Sequence, residues 1–295
     1  MKPLVDDHHP FADNRGRSMP TLPHRVPHHA VILAAGLGSR LRPLTAQRPK
    51  PLVSVHGVPI LYNMLSALSE LGVKTATIVV GYRKELIQAM CGSRFGNIEL
   101  RYVESSIFDR TGSAYSLWLA REALLSGDVL LLQGNVFFET AVLERLVRCG
   151  ESDVAAVAPF DAMMTGSAVT ISAAGSVDQV LMKQTAADLN RDETLFKTMN
   201  LFRFAQSTLR RAVVPALDEV VGSGAVTAHV EQVLTYLIGE CGVRLAAADC
   251  GDLKWFEIDS EEDLHTAEAI FATGAAQGGP AALRASQTAE APRWH

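Results

Sequence analysis

The sequence predicts an α/β fold with a mixed, mainly parallel sheet that is covered by helices on both faces. Strand and helix patterns alternate from residue 30 to residue 160, as is typical of parallel strands joined by helices. After residue 160 the regularity changes, and we expect a small lobe made of a β-hairpin and helices. With 295 residues, 48% of them hydrophobic, the chain can bury a large core in one domain or in a domain with a lobe.

The first half contains short apolar segments that predict buried strands and segments with helical apolar spacing that predict helices. Gly72 follows one such helical segment and predicts its end. The stretch 128–138 is interpreted as a long apolar strand that runs into a turn. The predicted strands are 30–35, 75–81, 98–104, 128–138 and 153–160, and the predicted helices are 59–71, 84–90, 113–124 and 141–149.

The second half combines a hairpin with further strands and helices. Residues 167–184 predict two strands around a turn at 173–176, and residues 254–272 predict a strand, a turn and a helix. Ser260 is the predicted N-cap of that last helix, whose first turn is acidic. The other predicted elements are strands at 195–204 and 243–251 and helices at 206–221 and 228–240.

Both ends of the chain are predicted to lie outside the folded domain. Residues 1–28, which are rich in proline and histidine, and residues 274–295 lack apolar periodicity, so we expect disordered extensions. The domain itself is expected to span residues 29–273, with its lobe at about residues 160–240.

Charge, cysteine usage and hydropathy exclude several classes of protein. A formal net charge of -5 argues against non-specific nucleic-acid binding. The four cysteines (Cys91, Cys149, Cys241 and Cys250) lie far apart without a C-x-x-C pair, which favours reduced thiols in a cytoplasmic protein. No apolar run reaches the ~18 residues that a membrane helix needs, so we expect no membrane partner.

Residues 33–61 carry the strongest functional signal and read LAAGLGSRLRPLTAQRPKPLVSVHGVPIL. A predicted strand runs into Gly36 and Gly38, which permit a tight turn and a close approach of the backbone to a ligand. Arg40 follows two residues later, two prolines stiffen the chain around Lys50, and the segment contains no acidic residue. Backbone N–H groups, a guanidinium and an ammonium together predict a polyphosphate site.

Two other phosphate-binding turns fit this segment less well. The Rossmann dinucleotide pattern requires a third Gly or Ala where this chain has Leu41, and an acidic residue about 20 positions later that is missing. A Walker P-loop is excluded because no Gly-Lys-Ser/Thr follows. A tight turn with a purely structural role remains the alternative interpretation.

The whole segment from Leu33 to Leu61 resembles the signature of the nucleoside-triphosphate transferase family. The matching pattern is L-A-A-G-x-G-x-R-L-x-P-L-T-x-x-x-P-K-P-L-V-x-V-x-G-x-P-I-L. The resemblance implies a Rossmann-like fold of the nucleotide-diphospho-sugar transferase type. It also implies that Gly36, Gly38 and Arg40 contact the NTP phosphates and that Lys50 lies at the reacting phosphoryl groups.

Four later segments resemble the phosphocholine and phosphonate cytidylyltransferase branch of this family. The resemblance implies transfer of CMP from CTP to a small phosphonate or phosphate monoester, of the phosphonoalkyl, phosphocholine or phosphoethanolamine type. Pyrophosphate would be released and Mg²⁺ would be the metal, while the oligomeric state stays open between a monomer and a homodimer. The four segments are FDRTGSAYSLWLA (108–120), LLLQGNVFFE (130–139), FKTMNLFRF (196–204) and WFEIDSEEDLHTAE (255–268).

The resemblance also implies the metal ligands. Asp259, at a strand-to-turn position, is the main candidate, and Glu257 alternates with it along the predicted strand, so both can face one side. Asn135 stands where the family normally has an Asp. An Asn keeps an oxygen ligand but loses the charge, which predicts weaker metal binding unless other oxygens compensate.

Further residues are implied to contact the two substrates. Lys183 is expected at the acceptor's phosphoryl group and in catalysis, with Lys197, Asn200 and Glu231 also at the acceptor. His229 and Val230 stand before Glu231 where the branch has paired tyrosines, which argues modestly against phosphocholine itself. The remaining residues implied at the nucleotide are Leu33, Ala34, Ala35, Ser39, Thr111, Gly112 and Ser113. Tyr82, which follows Gly81, is also predicted at the nucleotide, and a packed aromatic side chain is the alternative interpretation.

Two other functions remain open from the sequence. One is a sugar-1-phosphate nucleotidylyltransferase, although the ending of the core resembles the cytidylyltransferase branch more. The other is a catalytically weakened nucleotide-binding relative, which the loss of charge at Asn135 motivates.

Overall fold

The structure is a computed structural model that describes residues 26–190 and 193–272. The extensions predicted at 1–28 and 274–295 lie outside the described residues, apart from residues 26–28. Within that short stretch, the carbonyl oxygen of His28 accepts hydrogen bonds from the backbone N–H groups of Lys74 and Thr75. The described domain therefore begins a few residues before the predicted boundary.

The elements follow the predicted alternation of strands and helices. The strands are β1 (His29–Ala34), β2 (Ser54–Val55), β3 (Val58–Pro59), β4 (Thr75–Val80), β5 (Arg94–Phe95), β6 (Ile98–Glu104), β7 (Val129–Gln133), β8 (Val136–Phe138), β9 (Val154–Pro159), β10 (Gly166–Ile171), β11 (Val177–Gln184), β12 (Phe196–Phe204), β13 (Ala246–Asp249) and β14 (Trp255–Glu257). The helices are α1 (Ile60–Leu71), α2 (Lys84–Cys91), α3 (Ser113–Leu119), α4 (Arg121–Leu124), α5 (Ala141–Arg148), α6 (Gln206–Thr208), α7 (Val214–Gly222), α8 (Val230–Gly239) and α9 (Glu261–Phe271).

A ten-stranded sheet forms the centre of the domain, in the order β11-β10-β12-β7-β1-β4-β6-β5, with β9 beside β12 and β13 beside β9. The central strands β7, β1, β4 and β6 are parallel to one another. Strand β12 runs antiparallel to β7, β9 and β10, and β10 pairs antiparallel with β11. The predicted mixed sheet with a parallel centre is confirmed.

Hydrophobic clusters cover both faces of this sheet. Side chains alternate along β1, so that Ala30 and Ile32 pack on one face while Val31 and Leu33 pack on the other. Helices α1, α2, α5 and α9 contribute to the first cluster, and α3, α7 and α8 contribute to the second. The predicted coverage of both faces is therefore confirmed as well.

Some elements differ from the sequence-based expectation. The stretch 128–138 is two strands, because Gly134 turns the chain across β1 and donates its N–H to the Leu33 carbonyl oxygen (2.8 Å). Strand β8 then leaves the main sheet and pairs with β14. The predicted helix at 113–124 divides at Ala120, and the helical stretch after residue 206 includes a π-helical segment at Leu209–Val213.

Neither the helices nor the thiols of the described part suggest a membrane or a disulfide framework. Within residues 26–190 and 193–272, every helix is too short or too polar to cross a bilayer. The four thiols are free, with Cys91 and Cys250 buried, Cys149 half-buried and Cys241 exposed. The cytoplasmic location stays a prediction.

Candidate active site

A cavity of about 550 Å³ opens at the carboxyl ends of β1 and β7. Ligands of open α/β sheets bind at this edge, because the loops that follow the strands converge there. Nearly all of the residues that the sequence predicted for the site line this cavity, namely Leu33, Ala34, Ala35, Gly36, Gly38, Ser39, Arg40, Lys50, Thr111, Gly112, Ser113, Asn135, Lys183, Lys197, Asn200, Glu231, Glu257 and Asp259.

The glycine-rich loop reaches the cavity in a backbone conformation that favours glycine. Gly38 has φ of 61°, and a Cβ atom there would lie 2.9 Å from the Cβ atom of Lys50. Thr45 donates its hydroxyl to the Gly38 carbonyl oxygen (2.7 Å). Tyr82, which was predicted at the nucleotide, does not line the cavity. Its hydroxyl instead lies 3.0 and 2.8 Å from the carbonyl oxygens of Thr45 and Ala46, so it holds the loop from outside.

Asp259 is held at the cavity by the start of α9. The side chain of Asp263 accepts the backbone N–H groups of Asp259 (2.9 Å) and Ser260 (2.8 Å). In return, Ser260 accepts the N–H of Asp263 (3.2 Å), which completes a capping box. The predicted N-cap at Ser260 is confirmed, and the same cap fixes the backbone of Asp259.

The Asp259 carboxylate is shared by two cations. The Lys50 ammonium contacts Oδ1, and Nη2 of Arg40 lies 2.9 Å from Oδ2. Burial alone would raise the pKa of Asp259, but the charge of Lys50 and its hydrogen bond, the charge of Arg40 and a hydrogen bond from Asn135 hold it at about 2. Asp259 is therefore ionised at neutral pH.

Glu257 is the centre of a second polar cluster. Nζ of Lys197 lies 2.7 Å from Oε2, and the Nδ2 atoms of Asn135 and Asn200 lie 3.1 and 3.3 Å from Oε1. Lys197 is almost fully buried and also donates to the Thr165 carbonyl oxygen (2.9 Å). The ion pair is thus hydrogen-bonded on both sides, as a buried charge requires.

Strand pairing brings Asn135 next to both carboxylates. The N–H of Ile258 donates to the Asn135 carbonyl oxygen (2.8 Å), and Glu257 pairs with Val136 in the ladder between β8 and β14. Nδ2 of Asn135 consequently lies 3.1 Å from Oδ1 of Asp259 as well as 3.1 Å from Glu257.

Three buried amide atoms that belong to cavity residues have no hydrogen-bond partner. They are Oδ1 of Asn135, Oδ1 of Asn200 and Nε2 of Gln133. An unpaired buried polar atom costs about 1–3 kcal/mol. A ligand that pairs with these atoms would remove that cost, so the cavity is suited to a polar ligand.

The donor atoms around Asp259 fit a hard divalent cation. Two carboxylates and the two unpaired amide oxygens are the type of ligand that Mg²⁺ and Ca²⁺ prefer. In the described ranges, no group of three or more His, Cys, Asp and Glu side chains could hold a metal. The site therefore suits an ion whose coordination is completed by oxygens of a substrate.

Backbone strain is found on the side of the cavity formed by β11 and β12. Lys183 and Asn200 have φ of 57° and 56°, which non-glycine residues rarely adopt. Such strain is concentrated at functional sites, because the surrounding structure must stabilise it. Both residues were predicted at the acceptor.

Gly112 and Ser113 join the starts of α3 and α8. A Cβ atom at Gly112 would lie 2.1 Å from the Ala228 carbonyl oxygen, and Ser113 Oγ accepts the N–H of Val230 (3.0 Å). This packing leaves no room for a side chain at residue 112. It also places Glu231, which is buried, at the cavity.

Sequence reasoning missed several polar residues that line the cavity. Gln133 lay within a quoted segment but was not singled out, although it directly precedes the Gly-Asn pair at the end of a strand. Ser116 also lay within a quoted segment (108–120) without being singled out, whereas Thr165 and Ser167 carried no local pattern that sets them apart. These four residues also line the cavity.

A cavity that gathers cations, carboxylates and amide oxygens at the carboxyl edge of the sheet suits a ligand with several negative charges. Residues 29–162 match the family described as nucleotidyl transferase. These residues therefore belong to the nucleotidyl transferase family.

Similarity to individual proteins extends beyond the matched region. The chain is 34% identical to the CMP-5'-(3-aminopropyl)phosphonate synthase of Streptomyces rubellomurinus over 258 residues, which cover 88% of this chain and 41% of that protein. It is 34% identical to the 2-aminoethylphosphonate cytidylyltransferase of Lancefieldella rimae over 113 residues, which cover 37% of this chain and 43% of that protein. The chain spans less than half the length of these curated relatives.

A solved structure gives the same fold. The CTP:phosphocholine cytidylyltransferase from Streptococcus pneumoniae matches with a TM-score of 0.68 and 21% sequence identity, over 82% of this chain and 98% of that chain. The predicted nucleotide-diphospho-sugar transferase type of fold is confirmed.

Proposed function

We propose that the protein transfers CMP from CTP to a small phosphonate or phosphate monoester and releases pyrophosphate. The observation that carries this proposal is the cavity, which is lined by Arg40, Lys50, Lys183 and Lys197. Three of these cations pair with the carboxylates of Asp259 and Glu257. Four cations in one cavity suit two polyanionic substrates. The choice of a cytidine nucleotide and of a phosphonate as acceptor comes from the names of the two curated relatives.

The reaction requires few bonds to the protein. An oxygen of the acceptor attacks the α-phosphorus of CTP, and the bond from that phosphorus to the oxygen bridging to the β-phosphate breaks. Pyrophosphate leaves with the electron pair. A phosphate monoester is largely dianionic at neutral pH, because its second pKa is about 6. An unesterified alkylphosphonate likewise carries deprotonated oxygens on phosphorus, so the attacking oxygen needs no protein base.

Lys50 and Arg40 neutralise the nucleotide's phosphates in this mechanism. Both are bound to Asp259 without a nucleotide, and the triphosphate offers them a stronger anionic partner. Holding the phosphates in line with the acceptor lowers the barrier by positioning and by offsetting charge. Lys183 and Lys197 line the same cavity and are assigned to the acceptor's phosphoryl group.

The metal is proposed to be Mg²⁺. Asp259, Glu257 and the amide oxygen of Asn135 are the residues that would hold it. When bound, such an ion stabilises the negative charge that builds up on the transferring phosphoryl group.

Glu231 supports an acceptor that carries an ammonium group. Its carboxylate belongs to a buried residue at the cavity, and His229 lines the same region. A carboxylate complements an amine through charge-assisted hydrogen bonds. An aminoalkyl phosphonate therefore fits better than phosphocholine, because proteins bind a quaternary ammonium group mainly through aromatic rings.

A substrate panel tests the proposal. Pyrophosphate release is measured with CTP, UTP, ATP and GTP, each combined with 3-aminopropylphosphonate, 2-aminoethylphosphonate, phosphocholine and glucose 1-phosphate. We expect release with CTP and an aminoalkyl phosphonate, its loss in Lys50→Met and its retention in Lys84→Met, whose side chain pairs with Glu104. Release with glucose 1-phosphate instead would favour a sugar-1-phosphate nucleotidylyltransferase, and nucleotide binding without release would contradict both.

A further inference from the structure

We propose that the nucleotide-free protein does not retain the divalent metal, and that the amide of Asn135 makes metal binding depend on the nucleotide. The inference rests on the proposed function only in taking a nucleoside triphosphate as the substrate. It concerns the order in which the chain takes up its ligands, which the family resemblance does not specify.

The negative charges of the two carboxylates are already more than neutralised by side-chain cations when no metal is bound. Arg40 and Lys50 pair with Asp259, while Lys197 pairs with Glu257. Three cations thus surround two carboxylates, and the cluster carries one net positive charge. Lys50, Lys197 and both carboxylates are largely shielded from solvent, whereas Arg40 is 69% exposed. The two shielded cations therefore repel an approaching divalent cation with little screening by water.

Asn135 fills the role that a cation would otherwise take between the carboxylates. Its Nδ2 donates towards Oε1 of Glu257 and Oδ1 of Asp259, at 3.1 Å each. Its Oδ1, the atom that could bind a metal, is buried without a partner. A carboxylate at this position would instead add a third negative charge beside the other two, and only a cation would relieve that repulsion.

The nucleotide changes this balance. A triphosphate gives Lys50 and Arg40 another anion to bind, which frees the oxygens of Asp259 for a metal. Its own phosphate oxygens also complete the coordination of a metal that it carries as a chelate. Each ligand therefore favours the other, and thermodynamic linkage makes the effect reciprocal.

Mn²⁺ binding to the full chain without nucleotide tests the inference, with free Mn²⁺ measured by electron paramagnetic resonance. We expect the wild type to retain no Mn²⁺ at concentrations on the order of 0.1 mM, and Asn135→Asp to bind it at least about tenfold more tightly. Gln133→Glu is the matched control. It adds the same charge two residues earlier at the same cavity, at a side chain whose amide nitrogen makes no hydrogen bond to either carboxylate, and we expect a clearly smaller gain in Mn²⁺ affinity than in Asn135→Asp.

Three outcomes would overturn the inference: tight Mn²⁺ binding by the nucleotide-free wild type, equal binding by the wild type and Asn135→Asp, or an equal gain in Gln133→Glu. Thermal melts confirm that each variant is folded. If Asn135→Asp does not fold, Lys197→Met replaces it, because removing the cation from Glu257 is expected to raise Mn²⁺ affinity in the same direction. Failure of every acceptor in the turnover panel would contradict the proposed function and leave the Mn²⁺ result unaffected.

Discussion

The cavity has two sides that are built in different ways. The loop side (residues 33–50) consists mainly of backbone that turns at Gly38, with Arg40 and Lys50 as its charged groups. The strand side (residues 165–200, with Glu231 and Glu257) consists mainly of side chains from antiparallel strands, with Glu231 added from α8, and includes strained backbone and a buried ion pair. The loop side suits the phosphates that all nucleotides share, whereas the strand side can discriminate between acceptors.

Asp259 lies where the two sides meet, and its substitution should have the largest effect. In Asp259→Asn, Lys50 and Arg40 lose their anion and the metal loses a charged ligand. We expect kcat/KM for pyrophosphate release to fall about 10³-fold. Asp252→Asn is the control, because Asp252 pairs with Arg145 at the surface. Activity within about tenfold of the wild type would show that the sides work independently of Asp259.

Glu231→Gln should separate the two substrates. The neutral amide keeps the shape of the side chain but loses the charge that complements an ammonium. We expect the acceptor KM to rise roughly 10- to 100-fold while the CTP KM stays unchanged. Glu219→Gln is the control, since Glu219 is exposed and accepts the Tyr236 hydroxyl (3.1 Å). A parallel rise in the CTP KM would show that Glu231 does not belong to the acceptor alone.

Gln133→Met should change binding and stability in opposite directions. Nε2 of Gln133 is buried without a partner, so an apolar side chain of similar size should stabilise the substrate-free protein by about 1 kcal/mol. If one of the two substrates pairs with this amide, the KM of that substrate should rise about fivefold in the variant. Thermal melts with and without substrates provide the measurement, and a loss of stability in the substrate-free protein would refute this assignment.

Tyr82→Phe should have the smallest effect and should be confined to the loop side. The variant removes the hydroxyl that holds the Thr45 and Ala46 carbonyl oxygens. We expect a loss of about 1 kcal/mol in stability and a CTP KM raised about twofold to fivefold, with no change in the acceptor KM. Tyr102→Phe is the matched control, because the Tyr102 hydroxyl also donates to a backbone carbonyl oxygen, that of Gly92 (2.6 Å), but lies outside the cavity. Identical kinetics in both variants would argue against the role of Tyr82.

The two sides also differ in how far the sequence predicted them. Gly38, Arg40 and Lys50 lie close together in the chain, so their local pattern predicted the loop side. The cluster around Glu257 depends on tertiary structure, because Asn135 reaches it through the pairing of β8 with β14. Sequence spacing alone could not show that Lys197 would pair with Glu257, or that Asn135 would point its nitrogen at both carboxylates.

Tyr82 illustrates the same limit on the loop side. Its position after Gly81 suggested a residue at the nucleotide, but the direction of its side chain depends on how the loop folds back. The succession of strands and helices and the coverage of both faces were predictable, because apolar periodicity and alternation are local signals. The order of the strands in the sheet was not predicted.

The capping box at the start of α9 has a consequence for the newly made chain. The Lys50 ammonium and the carboxylate that it contacts are 209 residues apart, and Asp263 must be in place before the Asp259 backbone is fixed. A ribosome-bound chain that lacks α9 therefore carries a glycine-rich loop without its counter-charge. The cluster of Arg40, Lys50 and Asp259 can therefore form only after the end of the described domain has been synthesised.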